Sequence, residues 1–147
     1  MTRVLICGGR NFNDMKAMSR EMQKIRDWYG GISCVIEGGA RGADYLGKLW
    51  AEREGIPVFE CRANWNRFGK RAGPVRNGWM IEHGKPDVVV AFPGGLGTEN
   101  MLAKAAEAEL LIWTPLASAG EAGTAGTTKI GPAEGEHAVP EGETPNE

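Results

Sequence analysis

Three glycine-containing segments have the composition of anion-binding turns. Each follows a short apolar run and precedes a helical pattern, so backbone N–H groups and the next helix dipole can hold a phosphate, which glycine allows to approach closely. The candidate ligand-binding residues are Gly8, Gly9 and Arg10 in the first segment, Gly38, Gly39, Arg41 and Gly42 in the second, and Pro93, Gly94, Gly95, Gly97 and Thr98 in the third. None matches the Gly-x-Gly-x-x-Gly dinucleotide fingerprint or the Walker A pattern. The segments predict a phosphate-bearing ligand, with purely steric tight turns as the alternative.

A basic segment, residues 62–77, follows the third apolar run. It contains five basic residues, the aromatic residues Trp65 and Phe68, and no acidic residue. Such a segment is either a cationic lid over a ligand or a solvated basic loop. Arg76 is predicted in the first turn of a helix, where the macrodipole disfavours a cation, and this placement indicates an anionic partner. Asn77 follows it and is a further candidate ligand-binding residue.

Two carboxylates lie close to the second glycine segment. Glu37 ends an apolar run, and an acid at the end of a strand faces the crevice of an open α/β sheet, so Glu37 can bind a ribose diol or act as an acid or base. Asp44 is better explained as a helix cap or first-turn acid. With two histidines, and with no Cys-x-x-Cys pair among three cysteines, we expect no metal site, no cofactor and no catalytic triad.

The elements that must position these residues follow from alternating patterns. The short apolar runs are Val4–Cys7, Cys34–Glu37, Val58–Cys61, Val88–Phe92 and Leu110–Trp113; the helical segments between them are Asp14 to Trp28, Ala43 to Glu54, Gly73 to His83 and Glu99 to Glu109. Strands that alternate with helices predict an α/β, Rossmann-like, doubly wound parallel sheet of about five strands with flanking helices. Ligands bind such sheets at the carboxyl ends of the strands, where all three glycine segments fall.

Composition divides the 147 residues into one domain and a tail. Residues 1–115 hold 16 basic and 13 acidic residues, a net charge of +3, which is far below that of a dedicated nucleic-acid binder. Residues 116–147 hold six Glu and one Lys among Gly, Ala and Pro, which predicts a disordered acidic tail. No segment has the length of a signal peptide core or a membrane span, so we expect a cytoplasmic protein that does not bind membranes.

The ordered motifs resemble those of a known family. Gly8-Gly9-Arg10, the segment from Glu37 to Asp44, Gly73-Pro74-Val75-Arg76-Asn77 and Pro93-Gly94-Gly95-Leu96-Gly97-Thr98 are similar to the YspA-type branch of the SLOG superfamily, the YpsA-related Rossmannoid domains. The resemblance covers residues 1–115. It implies a Rossmann-like domain, and it permits a homodimer.

The wider superfamily includes the Lonely Guy phosphoribohydrolases, DNA-processing protein A and sensors of nucleotide-derived signals. Residues 93–98 are similar to the Lonely Guy Pro-Gly-Gly-x-Gly-Thr motif, which implies binding of a nucleotide 5′-phosphate or ribose. Arg76 with Met80 is similar to the Arg-x-x-x-Met helix of that family, which implies a catalytic role for Arg76. The catalytic glutamate of the Lonely Guy motif falls on Met101 in this chain, and Glu99 comes two residues too early to replace it on the same helix face.

Three functions remain open at this point. The first is a sensor or binding module for a nucleotide or nucleotide-derived phosphorylated ligand, which needs no missing residue. The second is an N-glycosidic nucleotide hydrolase that uses Arg76 together with Glu37 or Glu99 as a relocated carboxylate. The third is a single-stranded DNA-binding protein, because the Arg41 and Arg76 motifs also look like those of DNA-processing protein A and aromatic residues are interleaved with basic ones.

Overall fold

A computed structural model describes residues 1–115, and the tail predicted at 116–147 lies outside the described residues. In chain order the elements are β1 (Thr2–Cys7), α1 (Met15–Tyr29), β2 (Ile32–Glu37), α2 (Ala43–Arg53), β3 (Val58–Glu60), α3 (Trp65–Phe68), a 3₁₀ turn (Gly69–Arg71), α4 (Ala72–Gly84), β4 (Val88–Ala91), α5 (Leu96–Glu107) and β5 (Leu111–Trp113).

The five strands form one parallel sheet in the order β3-β2-β1-β4-β5. The central strand β1 pairs with β2, where Val4 lies opposite Val35, and with β4, where Val4 lies opposite Val88. Strands β1, β2 and β4 are almost completely buried, as expected for a parallel sheet covered on both faces. This architecture confirms the predicted α/β, Rossmann-like class.

Helices cover both faces of the sheet, because successive strand side chains point in opposite directions. Val4 of β1 packs with Met18 and Met22 of α1, and the same core contains residues of α2. The neighbouring Leu5 packs instead with Met80 of α4 and with residues of α5. Each fully buried aliphatic side chain contributes roughly 1.5–3 kcal/mol to folding stability. These buried contacts therefore hold the helices on the sheet.

The helices near the glycine segments begin earlier than predicted. Helix α5 starts at Leu96 rather than Glu99, so Gly97 and Thr98 lie in its first turn and not in a loop. Helix α4 starts at Ala72, which places Arg76 beyond the first turn. Glycine is a loop signal in sequence, but the first turn of a helix tolerates it because few intrahelical hydrogen bonds depend on it there.

The loops after β1 and β4 are joined where the strand order reverses. The N–H of Gly9 donates to the carbonyl oxygen of Pro93 at 2.7 Å. A Cβ on Gly94 would lie 2.7 Å from the Gly9 nitrogen, and a Cβ on Gly42, where φ is 83°, would lie 2.6 Å from the Cα of Arg10. Glycine is therefore required sterically at both positions, and the joined loops form the floor of a cleft.

Candidate functional site

The cleft at the carboxyl ends of the strands has two adjoining cavities. We call the first, of about 580 Å³, the large chamber; among its lining residues are Gly8, Gly9, Asp44, Lys70, Asn77, Met80, Gly95, Gly97, Thr98 and Asn100. We call the second, of about 340 Å³, the arginine chamber; among its lining residues are Gly38, Gly39, Arg41, Arg62 and Ala63. Arg10, Ala40, Trp65 and Arg76 line both. One ligand of nucleotide size can reach both chambers, since ligand cavities commonly measure about 300–1,000 Å³.

The first turn of α5 supplies hydrogen-bond donors to the large chamber. The N-cap residue Gly95 has no side chain with which to cap the helix. The first amides of a helix have no intrahelical partner, and they carry the positive end of the helix dipole. Gly95, Gly97 and Thr98 line the large chamber at this point. The N-terminus of α5 thus has the geometry and the dipole of an anion-binding site.

The loop after β2 uses its amides internally. The N–H groups of Gly38 and Ala40 both donate to Asp44 Oδ2 at 3.1 Å. The N–H of Gly39 donates to Glu37 Oε1 at 2.6 Å. These three amides are therefore engaged by carboxylates and do not offer the anion-binding backbone suggested by the glycines. Asp44 is the predicted first-turn acid of α2, and it holds this loop; the N-cap residue is Gly42, which makes no side-chain capping bond.

Arg76 is held in place by two groups at the boundary of the chambers. Its Nη1 donates to the carbonyl oxygen of Gly38 at 2.5 Å, and its Nε donates to Asn77 Oδ1 at 3.0 Å. Asn77 Nδ2 in turn donates to the carbonyl oxygen of Gly97 and to Asn100 Oδ1. Through this chain of hydrogen bonds α4 positions its arginine against both the β2–α2 loop and the start of α5.

The arginine chamber collects cations from four segments. Arg10, Arg41 and Arg62 each follow one of the adjacent strands β1, β2 and β3. The guanidinium carbon of Arg10 lies 5.8 Å from the ring centre of Trp65, a cation–π contact on a half-exposed indole. Among residues 1–115, no acidic side chain lines this chamber. An anion here would meet guanidinium groups, while the amides of Gly38, Gly39 and Ala40 are already engaged.

The two carboxylates near the cleft are in environments that favour their neutral forms. Glu37 has no exposed surface, and its Oε2 has no hydrogen-bond partner within residues 1–115. Desolvation by burial raises the pKa of Glu37 to about 8. Burial also raises the pKa of Asp44, against the lowering effect of the Ala40 amide and the charge of Arg76. Glu37 lines neither chamber, whereas Asp44 lines the large one.

Two acid positions considered for hydrolysis lie away from the chambers. Glu99 is exposed on α5 and lines neither of them. Met101 is 1% exposed and belongs to the core between the sheet, α4 and α5. The position that carries the Lonely Guy glutamate by motif alignment is thus a packing position in this fold.

Most of the other predicted site residues do line the cleft. Gly8, Gly9, Arg10, Arg76, Asn77, Gly95, Gly97 and Thr98 border the large chamber, and Gly38, Gly39 and Arg41 border the arginine chamber. Gly42, Pro93 and Gly94 border neither. Sequence reasoning missed Asn100, which completes the hydrogen bonds of Asn77. In the sequence, the one feature that could have indicated Asn100 is its position, one helical turn after Gly97 on the helix that follows the third glycine segment.

A metal site or a reactive thiol would require particular arrangements of the cysteines and acids within the described part of the chain. Within residues 1–115 no three His, Cys, Asp or Glu side chains are grouped to hold a metal ion. Burial raises the pKa of Cys7 and of Cys61, which disfavours their nucleophilic thiolate forms. In the same part of the chain, no helix is both long and apolar enough to cross a membrane.

Comparisons with known proteins found a matching family, a similar phage protein and a solved structure. The profile of the family described as "YspA, cpYpsA-related SLOG family" matches residues 2–68. Gene 61 protein of Mycobacterium phage D29 is 40% identical over 123 residues, covering 76% of this chain and 94% of the phage protein. The crystal structure of a UDP-N-acetylglucosamine 2-epimerase superposes with a TM-score of 0.47 at 16% identity, covering 79% of this chain and 33% of the epimerase chain.

Proposed function

This chain belongs to the YspA, cpYpsA-related SLOG family, and from that premise we propose that it binds a nucleotide or nucleotide-derived phosphorylated ligand in the large chamber. The family supports a role in binding or processing nucleotide-related molecules in general. The specific proposal is a sensor or binding module, in which the ligand phosphate lies at the first turn of α5.

The observation that carries this proposal is the meeting of two kinds of donor in one cavity. The uncapped amides at the start of α5 and the fixed guanidinium of Arg76 both border the large chamber. Dipole and charge act together on an anion at such a site, and arginine adds bidentate hydrogen bonds to phosphate. Trp65 and Met80 border the same chamber and offer apolar surface for a base or sugar.

Binding is favoured over hydrolysis by the positions of the acids. N-glycosidic cleavage requires a carboxylate beside the reacting sugar carbon. Met101 is buried in the core, Glu37 lines neither chamber, and the carboxylate that does line the large chamber, Asp44, already accepts two backbone N–H bonds. Both loop amides donate to Oδ2 of Asp44, so a hydrolase mechanism would have to use its other oxygen, Oδ1.

The test is a panel of nucleoside 5′-monophosphates and dinucleotides, titrated by calorimetry and analysed for free base by mass spectrometry. We expect an intact nucleotide to bind. Arg76→Ala should abolish measurable binding, and Arg53→Ala, an exposed change outside both chambers, should leave it unchanged. Base release that depends on Arg76 would replace the proposal with a hydrolase. Oligonucleotide binding with a steep salt dependence, and no mononucleotide binding, would replace it with a single-stranded DNA-binding function.

A further inference from the structure

The arginine chamber is more basic than one phosphate requires. Four guanidinium groups line it: those of Arg10, Arg41, Arg62 and Arg76. Within residues 1–115, Arg62 pairs with Glu60 at 3.4 Å, and no carboxylate forms an ion pair with Arg10 or Arg41. A phosphate group carries a charge of about −1.5 to −2 at neutral pH. The chamber therefore has unneutralised charge suited to an anion of its own.

The topology explains why these cations converge. Strands β1, β2 and β3 are neighbours in the sheet and run parallel, so the residues that follow them emerge at one edge. Each strand is followed within a few residues by an arginine, at positions 10, 41 and 62, and α4 adds Arg76 from above the β2–α2 loop. The cluster is built from four separate segments, unlike a solvated basic run along one loop.

Two of these donors, Arg41 and Arg62, do not line the large chamber. The start of α5 acts on the other side of Arg76 and does not line the arginine chamber. Because Arg10, Trp65 and Arg76 form the shared boundary, one ligand can place an anionic group in each cavity. The amides of Gly38, Gly39 and Ala40 are engaged internally, so the arginine side chains are the main donors to a second anion.

We propose that the arginine chamber is a second anion subsite, and that the ligand is a nucleotide with at least two phosphate groups and not a nucleoside monophosphate. This inference rests on the proposed function and specifies its ligand class. Arginine binds phosphate through paired, planar hydrogen bonds. A second phosphate should therefore add affinity that depends on Arg41 and Arg62. These two exposed arginines line the arginine chamber and not the large one.

The experiment compares four probes by calorimetry: a nucleoside 5′-monophosphate, the corresponding 5′-diphosphate, the 3′,5′-bisphosphate and inorganic pyrophosphate, with adenine and guanine as bases. The test variant is Arg41→Gln/Arg62→Gln. Both side chains are exposed, so the variant should fold, which circular dichroism and thermal unfolding verify. The control is Lys16→Gln/Arg53→Gln, which removes the same charge at exposed positions outside both chambers.

We expect a probe with two phosphates to bind at least about tenfold more tightly than the monophosphate, a difference of ~1.4 kcal/mol. That gain should disappear in Arg41→Gln/Arg62→Gln and persist in the control, while monophosphate affinity changes little. The relative affinities of the 5′-diphosphate and the 3′,5′-bisphosphate show whether the two phosphates are adjacent or separated.

Monophosphate binding with no gain from a second phosphate would overturn this inference and leave the proposed function standing. A gain that survives in Arg41→Gln/Arg62→Gln would also overturn it. If no nucleotide binds, the proposed function fails, and pyrophosphate then decides the subsite separately: binding lost in the double variant supports it, and absence of binding rejects it.

Discussion

Arg76 of α4 donates through Nη1 to the main-chain carbonyl of Gly38, the first residue after β2, and thereby connects two elements that the sequence separates by 38 positions. A Cβ on Gly38 would meet the end of that guanidinium, so a larger residue at position 38 would displace the Arg76 side chain. The side chain proposed to bind phosphate is also a structural tie between α4 and the β2–α2 loop.

Changing Arg76 should therefore affect both binding and stability. We expect Arg76→Ala to abolish measurable nucleotide binding and to lower the free energy of unfolding by ~1–3 kcal/mol, because a hydrogen bond from a charged donor is lost. Arg76→Lys should recover part of the stability and little of the affinity, since lysine cannot form the paired hydrogen bonds. Urea denaturation and calorimetry measure the two effects. Full affinity in Arg76→Ala would exclude this residue from the site.

A larger side chain at position 97 should block binding while raising stability, unlike Arg76→Ala, which should lower both. Gly97 lies in the first turn of α5, lines the large chamber and has open space where a Cβ would be. Gly97→Leu should raise stability by up to about 1 kcal/mol through helix propensity while blocking the ligand.

Gly78→Leu is the matched control for this change. Gly78 also lies in a helix with open space around its Cβ position, but it borders neither chamber. Thermal unfolding should show a similar gain for both variants, whereas calorimetry should show lost binding for Gly97→Leu alone. Equal affinities in the two variants would contradict the placement of the ligand at α5.

Glu37 should make the domain less stable as the pH rises. Its pKa is raised from 4.5 to about 8 in the folded state, because burial disfavours the carboxylate. The folded chain thus retains a proton that the unfolded chain releases. The contribution of Glu37 to stability should be complete below pH 4.5 and fall by up to ~1.4 kcal/mol per pH unit until about pH 8.

The variant Glu37→Gln tests this pH dependence. Glutamine keeps an oxygen that can accept from the Gly39 amide but cannot ionise, so the decline in stability between pH 5 and pH 8 should flatten. Glu99→Gln, at an exposed position, should keep the wild-type profile. The measurement is urea denaturation at a series of pH values. If stability falls with pH as steeply in Glu37→Gln as in the wild type, the Glu37 carboxyl is not the cause of the decline.

Asp44 should be more important for the shape of the β2–α2 loop than for chemistry. Asp44→Ala leaves the amides of Gly38 and Ala40 without their acceptor, and an unsatisfied buried donor costs roughly 1–3 kcal/mol. Asp44→Asn retains an acceptor oxygen and should be milder. Hydrogen exchange at these two amides, together with denaturation, measures the effect. Asn and Ala variants of equal stability would refute this role.

Introducing the Lonely Guy glutamate should damage the fold and create no hydrolase. Met101 is packed in the apolar core, so Met101→Glu buries a charge and should lower stability by more than ~3 kcal/mol. Met101→Leu nearly conserves volume and should cost less than about 1.5 kcal/mol. Base release by Met101→Glu in the mass-spectrometric assay would show instead that this position reaches the ligand.

The sheet and its helices were predictable because their signals are local. Buried parallel strands appear as short apolar runs, and the Met18, Met22 and Ile25 spacing identifies the buried face of α1. The position of the cleft followed from the same reasoning, since all three glycine segments come after strands.

The use of particular groups in the site was not predictable locally. Whether the Gly38 amide faces a ligand or a carboxylate depends on Asp44, six residues away. Glu37 was expected at the crevice because it ends a strand, yet the packing around it leaves the side chain with no exposed surface. The convergence of Arg10, Arg41 and Arg62 depends on strand order, which the separate motifs do not specify.

The placement of β1 in the middle of the sheet constrains how the chain can fold during synthesis. The N–H of Arg3 donates to Asp87, 84 residues later, and β4 completes the hydrogen bonds of β1. Residues 2–68, which the family profile matches, include β1 to β3 but neither α4 nor α5. A nascent chain of that length exposes an unpaired strand edge and one bare apolar face of the sheet, a state prone to association. Stable folding must therefore wait until most of residues 1–115 have left the ribosome, and such distant pairings are slow to form.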